Sequence, residues 1–193
     1  MTTVAETPSG HFHAVRFYDS AASLCRIVAG FLADGLKTEQ PALVIATPEH
    51  RAGIAAALRA QRLDPDALQA AGDLLLLDAE ETLALFMVEG RPDAAKFATV
   101  ADEFLERACR GRKDCTIRAY GEMVDVLWKR GHAVAAVRLE MFWNRLAESK
   151  DFSLLCGYAM GNFYKGSQKT DICSHHSHVV DDNGVLQPAP AVN

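Results

Sequence analysis

Ala42-Leu43-Val44-Ile45-Ala46-Thr47-Pro48-Glu49-His50 is the stretch on which the fold turns. Five apolar residues in a row are too few for a buried helix and suit a strand covered on both faces. The next two residues open a helix, because Thr can cap one and Pro is tolerated at the first helical position. A strand that passes directly into a helix is the repeating unit of an α/β sheet.

The same device recurs on either side. Short apolar runs at 13–18, 74–77, 115–119 and 153–158 predict four more strands, each bounded by turn residues. Between the first two strands, Leu24, Ile27, Val28, Phe31 and Leu32 keep helical spacing, with Asp19 or Ser20 as the cap and an end near Gly35. Asp64-Pro65 starts a short helix that reaches Gly72. Phe97, Val100, Ala101, Phe104, Leu105 and Ala108 mark a long helix, and Val124, Leu127 and Trp128 another that ends at Gly131. Val134, Val137, Met141, Phe142 and Leu146 mark a third. Alternating strands and helices with such apolar strands predict an α/β three-layer sandwich, its central sheet mostly parallel and of five or more strands.

The chain has the size of one domain: 193 residues, 49% hydrophobic and 23% charged. Segments 1–11 and 182–193 are polar, small and punctuated by Pro and Gly, which predicts two disordered tails around a folded unit at 12–181. With 20 basic against 25 acidic side chains, a net charge of −5 and no Lys/Arg run, neither nucleic acid nor an anionic membrane is expected as a direct partner. The first ten residues lack the features of an export signal, and no apolar run approaches the ~18 residues of a membrane span. Five cysteines, odd in number and without a CxxC pair, disfavour a disulfide framework and a four-thiolate zinc site. A cytoplasmic location is therefore expected.

Motifs for nucleotide chemistry fail. Gly30-x4-Gly35 is followed by Leu36-Lys37-Thr38, with the lysine displaced by one residue, and Gly161-x4-Gly166 by Ser167-Gln168-Lys169-Thr170. Neither offers the GK[ST] that grips phosphates and Mg²⁺. No GxGxxG follows the first strand, and no GxSxG occurs. Each lone cysteine reads more simply as a small buried hydrophobe than as a nucleophile.

In such sheets ligands bind outside the carboxyl ends of the strands. The residues that follow the apolar runs are thus the candidate ligand site: Tyr18, Glu49, His50, Asp78, Glu122 and Tyr158. Glu122 follows a strand and begins a helix, so it reads either as a helix-terminal carboxylate or as an acceptor for a polar ligand, beside His50 and the two phenols. Glu80 and Glu81 read as dipole partners at a helix start, and Trp128, Trp143 and Met141 as core. Cys173-Ser174-His175-His176-Ser177-His178 is the densest set of metal-ligand types, but its spacing matches no known ligand pattern. On a helix His175 and His176 point about 100° apart and cannot both face one ion with Cys173, so histidines favouring a helix C-terminus are the simpler reading, and no metal site or cofactor is expected.

Taken in order, His13-Ala14-Val15-Arg16-Phe17-Tyr18-Asp19, Ala42 to His50, and Leu75-Leu76-Leu77-Asp78-Ala79-Glu80-Glu81-Thr82 form a recognisable series. Gly121-Glu122-Met123-Val124, Leu154-Leu155-Cys156-Gly157-Tyr158 and Cys173 to Val180 extend it. The series resembles the MEDS domain, the methanogen/methylotroph sensory domain named for the repressor of dichloromethane dehalogenase, over about residues 11–181. The resemblance implies a degenerate RecA-like fold, related to the circadian-clock ATPases, whose nucleotide loop is lost. It also implies a sensory role upstream of gene regulation, with a small hydrocarbon-derived or similar ligand.

Members of that family are often fused to a DNA-binding helix-turn-helix or a kinase. This sequence carries only the sensory part, which implies a sensor or adaptor acting on a signalling partner protein such as a kinase or regulator. Two function classes follow: a non-catalytic module that binds a small ligand or partner, and an enzyme using crevice carboxylates and His50 as acid and base. For contact with a partner or a second copy, the helices over 94–110 and 132–149 are favoured. Phe142 beside Trp143 makes the second stripe wider than one seam requires, so either part of it is exposed or both aromatics pack on the sheet.

Overall fold

Side chains alternate across the strands, and the alternation decides which helix covers which face. On β1 (His13–Tyr18) Val15 and Phe17 face one layer, Ala14 and Tyr18 the other. On β2 (Ala42–Ala46) Leu43 and Ile45 share the side of Val15, while Ala42, Val44 and Ala46 share that of Ala14. The structure, a computed structural model, describes residues 12–163 and 166–190.

After these strands the order is α1 (Ala21–Leu36, between β1 and β2), α2 (Pro48–Ala60), α3 (Pro65–Ala71), β3 (Leu74–Asp78) and α4 (Ala79–Phe86). A small hairpin, β4 (Met87–Val88) and β5 (Arg91–Pro92), leads to α5 (Ala94–Cys109), β6 (Ile117–Gly121), α6 (Met123–Lys129) and α7 (Ala133–Ala147). Then come β7 (Phe152–Ala159), a 3-10 turn at Met160–Asn162, α8 (Gly166–Ser174), β8 (His178–Val180) and β9 (Leu186–Pro188). Seven strands form one sheet in the order β3-β2-β6-β7-β1-β8-β9, parallel except for the β8–β9 pair. Helices α1 and α2 cover one face and α4 to α8 the other, a three-layer α/β sandwich.

Capping residues stop and start these elements where the sequence suggests. Ser20 accepts a hydrogen bond from Ser23 N at the head of α1, and Asp64 accepts from Asp66 N and Ala67 N at the head of α3. Gly72, at φ +74°, ends α3 in the left-handed region that favours glycine.

Three expectations need correction and one open alternative is resolved. The strand expected at 115–119 is β6, two residues later: a turn occupies Lys113 and Asp114, the latter at φ +54°, and pairing with β7 begins only at Ile117. Cys115 and Cys109 are joined by a disulfide across that turn, a pair that scattered spacing does not reveal. The stretch expected as a tail from 182 folds back as β9: Asp181 accepts the backbone N–H of Asn183 and Val185 through Oδ1, and Asp182 pairs with buried Arg16 at 2.5 Å. Of the two readings of the Phe142–Trp143 stripe, the packed one holds: neither aromatic is exposed. Trp143 packs edge-on to Phe97 at 4.9 Å, Phe142 lies 5.5 Å from Phe97, and the exposed apolar side chains of α7 are Val134 and Met141.

The tail expected at 1–11 lies outside the described residues. No helix among the described residues is long and apolar enough to cross a membrane.

Candidate functional site

Connections leaving β2 and β6 diverge: β2 feeds α2 on one face and β6 feeds α6 on the other. In α/β sheets, ligands bind at the carboxyl ends of neighbouring parallel strands whose crossovers part in this way, a position termed the β2–β6 crevice. Thr47 and His50 stand on the β2 side of that crevice, and Glu122 on the β6 side.

Glu122 is the residue before α6, yet its side chain does not cap that helix. It reaches across instead. Oε1 accepts the Thr47 backbone N–H at 2.5 Å, Oε2 pairs with His50 Nδ1 at 2.5 Å, and Tyr120 donates its hydroxyl to Oε2 at 2.9 Å. All three side chains are buried. Burial alone would raise the Glu122 carboxyl, but the hydrogen bond and charge of His50 and the Thr47 N–H outweigh it and hold it below the usual range. The Glu122 hydrogen bond raises His50 in turn, against burial.

Tyr18 completes the wall. Its hydroxyl donates to Asp125 Oδ2 at 3.2 Å and its ring meets His50 edge-on at 5.6 Å. Asp125 also accepts the Ala159 N–H and pairs with Lys129 at 2.7 Å, so α6 is tied to the ends of β1 and β7. Burial, and then Asp125 and Glu122, push the Tyr18 phenol far up, while burial and Glu122 do the same to Tyr120. Both phenols are therefore donors at any working pH. Burial, Glu122 and Glu49 raise the nearby Cys25 thiol.

Of the six residues singled out in the sequence, Tyr18, His50 and Glu122 thus come together. Glu49 is exposed on the first turn of α2. Asp78 sits at the end of β3, where Oδ1 accepts Glu80 N and Glu81 N at the head of α4 and Oδ2 accepts Arg51 at 2.9 Å. Tyr158 does not join them. It belongs to the opposite face with Phe17 and Trp128, and its hydroxyl donates to Glu140 Oε1 at 2.8 Å. Tyr18 pairs in register with Ala159, one residue on, so Tyr158 points to the other layer. Asp125 was overlooked, although it is the acidic residue of the apolar run Met123–Trp128, three positions after Glu122.

A separate cavity of about 390 Å³ opens between α1 and the β8–β9 hairpin, with Phe12, Ile27, Phe31, Leu155 and Leu186 among its walls. Arg118 lies over the Phe31 ring at 5.1 Å there.

No curated protein matches this chain. The family model of the MEthanogen/methylotroph, DcmR Sensory domain, MEDS, matches residues 12–177, so five of the seven sheet strands, β1, β2, β3, β6 and β7, and the Glu122 network lie within the match, and the chain belongs to the MEDS family.

Proposed function

We propose that this chain is a non-catalytic sensory module that binds a small ligand at the β2–β6 crevice and passes the change to a signalling partner. The partner is a protein such as a kinase or transcription regulator, or a second copy of the chain. The observation that carries the reading is the bridge from Glu122 to Thr47 and His50. One buried carboxylate holds the starts of α2 and α6 together, so a ligand that hydrogen-bonds to Glu122 or His50 competes with the tie itself. Ligand then favours the state in which the two helix starts are parted, and differential affinity for the two states is what a sensor needs.

We take the fold as a degenerate RecA-like sheet without nucleotide turnover, acting in the cytoplasm without direct contact to nucleic acid or membrane. Gly30 lies inside α1, away from any strand-to-helix connection, and the β7–α8 connection that holds Gly161 carries no GK[ST] after Gly166.

An enzymatic reading draws on one feature, the carboxylate-oriented imidazole of His50, which is the arrangement of a general base. Cys25, the neighbouring thiol, has its pKa raised and so lacks the thiolate character a nucleophile needs. The experiment is thermal melting with methanol, methylamine, formate and dichloromethane, each recovered and assayed afterwards. A compound that raises the melting temperature and is recovered unchanged supports the sensory reading. Consumption of the compound supports the enzymatic one.

A further inference from the structure

The face of the sheet opposite the crevice network carries a second buried polar cluster. His13 is the first residue of β1 and Cys156 lies on β7, on the same face and two register pairs further along. Glu140 reaches them from α7, and His176 from the turn just after α8. One donor atom from each of the four lies within 4.8 Å of the other three, and all four residues are buried.

His13 Nε2, Glu140 Oε2 and Cys156 Sγ are spaced like three corners of a coordination shell, and His176 Nε2 approaches from the side of the other carboxylate oxygen. His13 Nε2 is 3.2 Å from Glu140 Oε2 and 3.3 Å from Cys156 Sγ. Cys156 Sγ is 3.6 Å from Glu140 Oε2, and His176 Nε2 is 3.5 Å from Glu140 Oε1. A tetrahedral ion with bonds of about 2.0–2.3 Å needs donor-to-donor edges of roughly 3.3–3.8 Å.

Both imidazoles are turned with a lone pair toward the centre. His176 Nδ1 is 2.8 Å from the Ile172 carbonyl, which can only accept, so the proton sits on Nδ1 and Nε2 is left as an acceptor. That Nε2 is buried and, among the described residues, has no hydrogen-bond partner. Asn144 Nδ2 donates to the His175 carbonyl at 2.8 Å, which turns Asn144 Oδ1 toward His13 Nδ1, also at 2.8 Å. In the neutral ring this leaves His13 Nε2 as the lone-pair nitrogen facing the cluster. Outer hydrogen bonds of this kind orient metal-binding histidines. Tyr158 holds Glu140 Oε1, which leaves Oε2 to serve as a single donor.

We propose that His13, Glu140, Cys156 and His176 form a closed tetrahedral site for one divalent transition metal ion, Zn²⁺ by its donor set. Two neutral imidazoles, one thiolate and one carboxylate neutralise a 2+ ion in a dry interior, and the thiolate excludes Mg²⁺ and Ca²⁺. Binding breaks the Cys156 S–H bond, its proton leaves to solvent, and the sulfur lone pair forms the metal bond. The protein fills all four positions, so the site is structural: it clamps the segment after α8 onto β1, β7 and α7. It does not depend on the crevice reading, since it shares no residue with that network.

The experiment uses untagged full-length protein. Zinc content is measured after expression in zinc-supplemented medium. The metal is then stripped with chelator, folding of the stripped protein is checked by circular dichroism, and Zn²⁺ or Co²⁺ is added back. One equivalent of zinc per chain is expected, with a sulfur-to-cobalt charge-transfer band in the near ultraviolet and a higher melting temperature on reloading. Cys156→Ser loses the band, His176→Gln loses stoichiometric binding, and Asn144→Ala weakens zinc affinity by ~10–100-fold. Cys173→Ser, a buried free cysteine outside the cluster, keeps the band. Folded stripped protein that takes up only substoichiometric zinc overturns the proposal. A cobalt band that survives Cys156→Ser, or that disappears with Cys173→Ser, overturns it as well.

Discussion

Glu122 Oε1 accepts the Thr47 backbone N–H across the gap between β6 and β2, so a single carboxylate joins the starts of two helices that leave the sheet on opposite faces. Its other oxygen pairs with His50. Removing one partner of a buried pair leaves the other desolvated and unpaired, so Glu122→Ala is expected to lose ~3–5 kcal/mol in denaturant melts. An exposed carboxylate on the first turn of α2, changed in Glu49→Ala, should move stability by less than about 0.5 kcal/mol.

The same pair sets a pH dependence. Because the folded state raises the His50 value, that stabilisation is complete below the ordinary value of 6.5 and fades as pH rises through the elevated one. The lowered Glu122 value works in reverse: its contribution is complete above 4.5 and fades as pH falls through the depressed one. The pair contributes most between about pH 4.5 and 6.5. Melting temperature of the parent minus that of Glu122→Gln, plotted against pH, should peak in this window and decline on both sides.

Gly157 makes room for the Tyr120 hydroxyl that Glu122 accepts. A Cβ at 157 would stand 2.5 Å from that oxygen, and the ring cannot retreat within a filled layer. Gly157→Ala is expected to destabilise by ~1–3 kcal/mol through overpacking. Double-mutant analysis with Tyr120→Phe should recover part of the loss, since the displaced hydroxyl is then gone.

Asp78 carries the opposite expectation for binding. Its carboxylate already serves the head of α4 and Arg51, so Asp78→Ala should cost about 1–2 kcal/mol of stability. Ligand affinity, measured by calorimetry on the folded variant, should stay at the parent level.

On α7 the buried and exposed apolar residues separate two roles. Trp143→Ala removes a ring packed on Phe97 and Phe152 and is expected to lose ~3–5 kcal/mol. Val134→Glu, at a position 85% exposed, should leave stability unchanged. If copies of the chain pair through this helix, light scattering will show Val134→Glu shifting the parent's assembly state.

Local signals made the sandwich legible. The run 42–46 followed by Thr47-Pro48 gives β2 and α2 because strand and N1 proline are neighbours in sequence, although the Thr47 side chain makes no capping hydrogen bond. The β8–β9 hairpin was hidden because Asp182-Asn183-Gly184 reads equally as a turn or as the start of a tail, and only the pairing of three residues on each side decides it. Strand ends located the crevice but not the direction of each side chain: Tyr158 falls on the wrong parity for it. The second polar cluster leaves no spacing to find, since His13 and Cys156 are 143 residues apart and meet only through the β1–β7 pairing.

The crevice account is tested most directly by calorimetric titration of the parent and Glu122→Gln with the one-carbon compound that gives the largest melting shift. Saturable binding to the parent, lost or strongly weakened in folded Glu122→Gln, and with the compound recovered intact, is the expected result. Undiminished binding to Glu122→Gln, or binding lost only when Gly30→Trp fills the cavity beside α1, would contradict it.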